Sequence, residues 1–129
     1  IYADNLGVKV KFLGSIPNNK IAETYNSYVV YVLCSLYEGN PKTLLEAMAC
    51  GCAVIGTDAP GIRSIISHKK NGLLADNNPS SLKKCILDIL SDNRLKDTLV
   101  ENATEHIKTN NSLENAIIKE FYAYTECLK

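Results

Sequence analysis

The sequence predicts an α/β fold, in which a parallel sheet is flanked by helices and an all-helical C-terminal segment follows. Short apolar runs alternate with helical patterns as far as residue 75, which is the element order of parallel sheets with right-handed crossovers. From Pro79 onward only the helical pattern continues. With 129 residues, 46% of them hydrophobic, the chain is long enough for one domain with a core and too short for two. We therefore assign residues 1–129 to a single domain.

The first third of the chain predicts two helices and two strands. Residues 1–6 look like the tail of a helix closed by Gly7, so we expect the chain to begin partway through its domain. Residues 8–13 alternate between apolar and basic, which predicts a strand, and residues 18–28 predict a helix. Residues 29–33 are apolar without interruption, which suits a parallel strand covered on both faces.

The same order of elements continues after a loop over residues 34–40. Residues 42–50 contain good helix formers, with Pro41 in the first helical position. Residues 53–57 predict another buried strand, and residues 72–75 predict the last one. Three helices are then predicted, over residues 80–90, 93–108 and 112–128.

Composition excludes several classes of partner. Lys plus Arg and Asp plus Glu both number 14, so no long-range field favours nucleic acid or an anionic membrane. No apolar run approaches the roughly 20 residues of a membrane span, which predicts no transmembrane segment. The five cysteines are an odd number and lie in or beside apolar runs, which indicates buried core thiols rather than disulfides or a metal site. A reducing, cytoplasmic location is expected, with peripheral membrane contact of the full-length protein as an alternative.

The chemistry is concentrated in residues 33–46, which pass over the carboxyl end of a predicted strand, where open parallel sheets bind ligands. A helix start at Lys42 offers free N–H groups and the positive end of the helix dipole, which favour phosphate, and Gly39 permits close approach. Glu46 lies about 6 Å further along that helix, so a diphosphate at the helix start leaves a ribose beside it. Spacing alone equally allows Lys42 and Glu46 to be solvated residues of an amphipathic helix. Glu38 on its own carries less weight.

A longer pattern surrounds the two carboxylates. Glu38 and Glu46 form E-x7-E within Tyr-Glu-Gly-Asn-Pro-Lys-Thr-Leu-Leu-Glu-Ala-Met-Ala-Cys-Gly, residues 37–51. This stretch resembles the signature of retaining glycosyltransferases of family 4, also called group 1. Supporting matches lie at residues 12–17, 53–58, 61–63 and 71–74.

The resemblance implies a GT-B enzyme of two Rossmann-like domains with the active site between them. This chain then corresponds to the C-terminal, donor-binding half, and the acceptor-binding N-terminal domain is absent from it. Carried over by position, Glu38 is the catalytic-site carboxylate that faces the transferred sugar, and Glu46 holds the ribose hydroxyls. Ile16 and Asn18 fall where the family contacts the base. The stretch that meets the sugar and the diphosphate corresponds to Gly39, Asn40, Pro41, Lys42 and Thr43.

Two departures from the family pattern bear on donor binding. Pro41 stands where many relatives have Gly, and it removes one N–H donor. The basic Arg and Lys that neutralise the diphosphate lie upstream of Ile1 in the family. Because of this we expect the 129-residue chain alone to be inactive, and we expect marginal stability because an uncovered sheet edge remains.

The resemblance further implies retention of anomeric configuration and no cofactor or metal, since the helix start and the upstream basic pair take the place of a divalent ion. Glu38 is assigned to position the sugar rather than to act as a nucleophile. The expected partners are a UDP- or GDP-sugar donor and a glycan or lipid acceptor bound by the absent domain. Two alternatives remain open: a nucleotide-sugar epimerase of similar fold, and a non-catalytic scaffold domain.

Overall fold

The structure, a computed structural model, describes residues 2–128 and confirms the α/β prediction. Three strands form one sheet, and helices connect and flank them. The elements in chain order are α1 (Tyr2–Asn5), α2 (Asn18–Asn26), β1 (Val30–Leu33), α3 (Lys42–Ala49), β2 (Ala53–Thr57), α4 (Pro60–Arg63), β3 (Leu73–Ala75), α5 (Pro79–Ser91), α6 (Asn93–Asn110) and α7 (Leu113–Cys127).

The sheet has the order β1-β2-β3, and both pairs of neighbours are parallel. Leu33 at the end of β1 lies opposite Gly56, and Thr57 at the end of β2 lies opposite Ala75. The carboxyl ends of all three strands therefore meet at one edge of the sheet. The loops that leave this edge lead into α3, α4 and α5.

The central strand β2 divides the core into two buried clusters. Its five residues are all buried, which is why the corresponding run is apolar without alternation. Successive side chains of a strand point to opposite faces. Val54 shares one cluster with Leu44 and Met48 of α3, while Ile55 shares the other with Ile89 of α5. Helices thus cover both faces, and this packing fixes α3 with its N-terminus near the carboxyl edge.

Residues 8–13 do not form the predicted strand. They carry no strand hydrogen bonding, and no strand of residues 2–128 pairs with them. Val10 is 54% and Phe12 93% exposed. An alternating pattern is typical of a half-buried strand, but a strand exists only where a neighbour completes its backbone hydrogen bonds. This prediction was wrong because residues 8–13 have no such neighbour in the described part of the chain.

The helix boundaries differ from the predicted ones by at most two residues. Pro41 lies at the N-cap of α3 and not in the first helical position, which Lys42 occupies. The helix predicted from residue 112 begins at a side-chain cap, because the Ser112 hydroxyl accepts a hydrogen bond from the Asn115 N–H at 3.2 Å. The helix tail predicted over residues 1–6 is present as α1, with Gly7 at a φ of 68°, while Ile1 is outside the described residues.

The five cysteines are all free, as predicted, but they are not all core thiols. Cys52 and Cys85 are buried, whereas Cys34 and Cys127 are exposed. Cys34 follows β1 in a surface loop and Cys127 ends α7, so a place beside apolar residues did not imply burial. None of the helices in the described part of the chain is long and apolar enough to cross a membrane.

The packing of β2 leads to a stability prediction at Gly56. A Cβ at this position would lie 2.4 Å from Ile62 Cγ2 and 3.1 Å from Ile66 Cδ1, and both isoleucines are buried. We expect Gly56→Ala to lower the free energy of unfolding by about 1–3 kcal/mol, because the surrounding core must move. Urea unfolding followed by circular dichroism at 222 nm measures this, since the chain has no Trp to report by fluorescence.

Gly39→Ala is the matched control, because its added Cβ would meet no heavy atom within 4 Å. This variant should keep the wild-type urea midpoint. Equal midpoints for both variants would show that the core around β2 has room for a Cβ at position 56.

Candidate functional site

The candidate site lies at the carboxyl edge of the sheet, where the loop of residues 34–41 joins β1 to α3. Glu38 is in this loop and Glu46 is in the second turn of α3. Both residues are half-buried. Each of them is held in place by contacts with other elements.

Thr57 attaches the start of the loop to the central strand. It ends β2 and is 1% exposed. Its hydroxyl accepts a hydrogen bond from the Ser35 N–H at 3.0 Å and donates one to the Ser35 carbonyl. The Ser35 hydroxyl in turn donates to the Tyr37 carbonyl at 2.8 Å. The loop is therefore fixed up to the residue that precedes Glu38.

Glu38 itself rests against α4. A Cβ at Gly61 would lie 1.8 Å from the carbonyl oxygen of Glu38 and 2.6 Å from its carbonyl carbon. Real atoms do not approach so closely, so only glycine at position 61 permits this contact. In the sequence, Gly61 and Thr57 stand out only as members of the matching stretches 61–63 and 53–58. Both contacts join residues far apart in sequence, so no spacing could reveal them.

The start of α3 differs in one respect from the expected phosphate site. The N–H of Lys42 donates to the Asn40 carbonyl at 2.9 Å, so this group is not free as predicted. The N–H groups of Leu44 and Leu45 both reach the Pro41 carbonyl, at 3.0 and 3.3 Å. No side chain caps the helix. The positive end of the helix dipole remains, together with the exposed side chain of Lys42.

Two tyrosines contact the face of α3 that carries Glu46. The Tyr25 hydroxyl donates to Glu46 Oε2 at 3.3 Å, and the Tyr31 hydroxyl donates to Thr43 Oγ1 at 2.8 Å. The two rings meet edge to face, with centroids 5.6 Å apart. Neither tyrosine was singled out from the sequence. Tyr25 lies in the predicted helix of residues 18–28 and Tyr31 in the apolar run of residues 29–33, and neither belongs to the E-x7-E pattern.

The pKa values of both tyrosines are raised. Burial raises the pKa of Tyr25 to about 12, and Tyr31, the charge of Glu46 and the hydrogen bond to Glu46 add to the shift. Burial also raises the pKa of Tyr31, although the hydrogen bond with Thr43 acts in the opposite direction. The negative charges of Glu38 and Glu46 both raise the pKa of Tyr31 further. The charges of both carboxylates therefore act on one phenol.

Ile16 and Asn18 lie apart from this group. Ile16 lines an open cavity of about 280 Å³ against α2, together with Thr24 and Tyr28, and this cavity contains neither Glu38 nor Glu46. Asn18 is the exposed first residue of α2. Contact of these two residues with a base stays a prediction.

A metal centre has no ligand set in the described residues. Within residues 2–128, no three His, Cys, Asp or Glu side chains are grouped so that they could hold a metal ion. The arrangement instead offers two carboxylates as hydrogen-bond acceptors beside the N-terminus of a helix. Such a surface suits a ligand that has both hydroxyl groups and a phosphate.

Similar proteins share this fold. The chain is 36% identical over 118 residues to an uncharacterised glycosyltransferase of Methanocaldococcus jannaschii, which covers 89% of this chain and 30% of that protein. The structure of a sucrose-phosphate synthase from Thermosynechococcus elongatus matches with a TM-score of 0.89 and 30% identity, over 96% of this chain and 31% of that one. Anabaena HepE in complex with UDP-glucose matches with a TM-score of 0.83 and 25% identity, over 95% and 35% of the two chains.

The chain spans about a third of the length of each of these proteins. The family model described as "Glycosyl transferases group 1" matches residues 1–106, which is most of the sequence and includes the whole candidate site. On this match, the chain belongs to the group 1 glycosyltransferases.

Proposed function

We propose that this chain binds the nucleotide-diphosphate sugar of a retaining glycosyltransferase of family 4 and forms the C-terminal half of a two-domain GT-B enzyme. The observation that carries the proposal is the placement of Glu38 in the loop before α3 and of Glu46 in the second turn of α3, at the carboxyl edge of the sheet. The complex of HepE with UDP-glucose supports a donor of this class. The acceptor, a glycan or a lipid-linked saccharide, would be bound by a further domain.

The proposed donor extends along α3. Glu46 lies four residues after Lys42, so its Cα is about 6 Å further along the helix. A ribose lies about as far from the diphosphate that it carries. The ribose hydroxyls would donate to Glu46, and the diphosphate would meet the N-terminus of α3 and the Lys42 side chain. The sugar would then lie towards Glu38.

Charge development in the reaction suits this order of groups. As the bond between sugar and diphosphate breaks, negative charge grows on the diphosphate and positive charge on the sugar ring. The helix dipole and Lys42 stabilise the departing diphosphate. Glu38 accepts hydrogen bonds from the sugar hydroxyls and holds the ring in the orientation that the acceptor attacks.

Substitution of Glu46 and substitution of Glu38 should have different effects on nucleotide affinity and on kcat. Glu46→Ala should weaken binding of the free nucleoside diphosphate by roughly tenfold to a hundredfold, because hydrogen bonds to a charged group are lost. Glu38→Ala should leave that affinity within about twofold and should lower kcat by about tenfold or more, because a free diphosphate has no sugar for Glu38 to touch. Calorimetry with UDP or GDP, beside steady-state kinetics of the full-length protein, separates the two effects.

Glu101→Ala is the control, since Glu101 is an exposed carboxylate of α6 and should change neither quantity. Equal loss of diphosphate affinity in the Glu38 and Glu46 variants would mean that their roles are wrongly assigned. Unchanged affinity and unchanged kcat in both variants would contradict the proposed function itself.

Transfer should also proceed without a divalent metal. We expect the α3 dipole and basic side chains to balance the diphosphate charge in its place. Full-length protein treated with EDTA and passed through a desalting column should keep its wild-type kcat. Complete loss of activity, restored by Mn²⁺ or Mg²⁺, would refute metal independence.

A further inference from the structure

Tyr25 contacts the candidate site from outside the segment that carries it. Its hydroxyl donates to Glu46 Oε2 at 3.3 Å, although Tyr25 belongs to α2 and precedes Glu46 by 21 residues. The bond uses one oxygen of the carboxylate. The second oxygen, Oε1, is left for another donor.

Tyr25 is itself held in place by three different contacts. Its carbonyl accepts a hydrogen bond from the buried thiol of Cys52 at 3.3 Å. The Tyr28 N–H donates to the same carbonyl at 3.0 Å. Its ring packs against Tyr31 and against the core cluster that contains Leu44 and Met48. The hydroxyl is therefore presented to Glu46 by a fixed part of the fold.

The direction of this hydrogen bond is also fixed. Burial and the neighbouring negative charge raise the pKa of Tyr25 to about 12, so the phenol keeps its proton throughout the neutral range. A protonated phenol can donate to a carboxylate, whereas a phenolate would repel it. At neutral pH the Tyr25 hydroxyl therefore donates its hydrogen bond to Glu46.

A Glu side chain on the surface of a helix samples several rotamers, and binding a ligand through it requires one of them. A hydrogen bond to one oxygen selects a rotamer before the ligand arrives. The remaining oxygen then has a defined direction towards the ribose hydroxyls. Pre-organisation of this kind increases affinity without adding a contact to the ligand.

We propose that Tyr25 is a positioning residue for donor binding, which holds the Glu46 carboxylate in the orientation that receives the ribose hydroxyls. This inference rests on the proposed function, because it assigns Tyr25 an effect only through the ribose contact of Glu46. Tyr31 is not part of it, since its hydroxyl donates to Thr43.

The test compares Tyr25→Phe with Tyr124→Phe in the full-length protein, since Tyr124 is an exposed residue of α7. Each variant loses one hydroxyl and keeps its ring. The dissociation constant is measured by calorimetry for UDP or GDP, whichever the wild type binds, and for the 2′,3′-dideoxy form of the same diphosphate. Thermal melting followed by circular dichroism checks that both variants are folded.

We expect Tyr25→Phe to weaken binding of the ribonucleotide by about fivefold to twentyfold and Tyr124→Phe by less than twofold. For the dideoxy form, which has no hydroxyls for Glu46 to bind, wild type and Tyr25→Phe should agree within twofold. Tyr25→Phe should also have no further effect when it is added to Glu46→Ala.

Three results would overturn the inference, and they point to different causes. Unchanged affinity in Tyr25→Phe would show that Glu46 needs no positioning partner. An equal loss for the ribonucleotide and the dideoxy form would make Tyr25 merely structural. If the wild type itself does not distinguish the two nucleotides, the ribose role of Glu46 fails, and the inference fails with that part of the proposed function.

Discussion

The carbonyl oxygen of Glu38 occupies the space that a side chain at position 61 would need. This backbone contact, together with the two hydrogen bonds between Thr57 and Ser35, ties the loop after β1 to α4 and to the end of β2. A loop is normally free to move, yet here the loop residue Glu38 is held by α4, which follows the next strand. The position of Glu38 therefore depends on residues of another part of the sheet.

The parallel sheet makes this contact possible. Because β1 and β2 run in the same direction, the loop that leads to α3 and the turn that leads to α4 leave the sheet side by side. The buried side chains of α3 then fix the rotation of that helix, with Leu44 and Met48 in the core and Glu46 turned towards Tyr25. One face of α3 therefore packs in the core, and the other carries Glu46 of the candidate site.

The sequence predicted the parts of the fold that depend on local pattern. The apolar run of β2 and the helix formers of α3 predicted the right element types, because burial on both faces leaves an unbroken apolar run and burial of one helix stripe leaves a helical period. The same approach was wrong for residues 8–13, where pairing with a neighbour and not periodicity decides whether a strand exists.

The candidate site shows a similar limit. Glu38 and Glu46 could be found because their spacing belongs to a recognisable pattern. Tyr25, Thr57 and Gly61 could not, because each acts on a residue about 20 positions away, and only the folded chain brings such pairs together. Residues that position a site leave weaker sequence signals than residues that touch its ligand.

The central claim, that the start of α3 receives a nucleotide sugar between these two carboxylates, is tested most directly by a crystal structure of the full-length protein with a UDP- or GDP-sugar. The account predicts ribose hydroxyls within hydrogen-bond distance of Glu46, the diphosphate at the N-terminus of α3, and the sugar beside Glu38. A nucleotide bound elsewhere, for example in the polar cavity of about 240 Å³ lined by Asn71 and His106, with both carboxylates untouched, would contradict it.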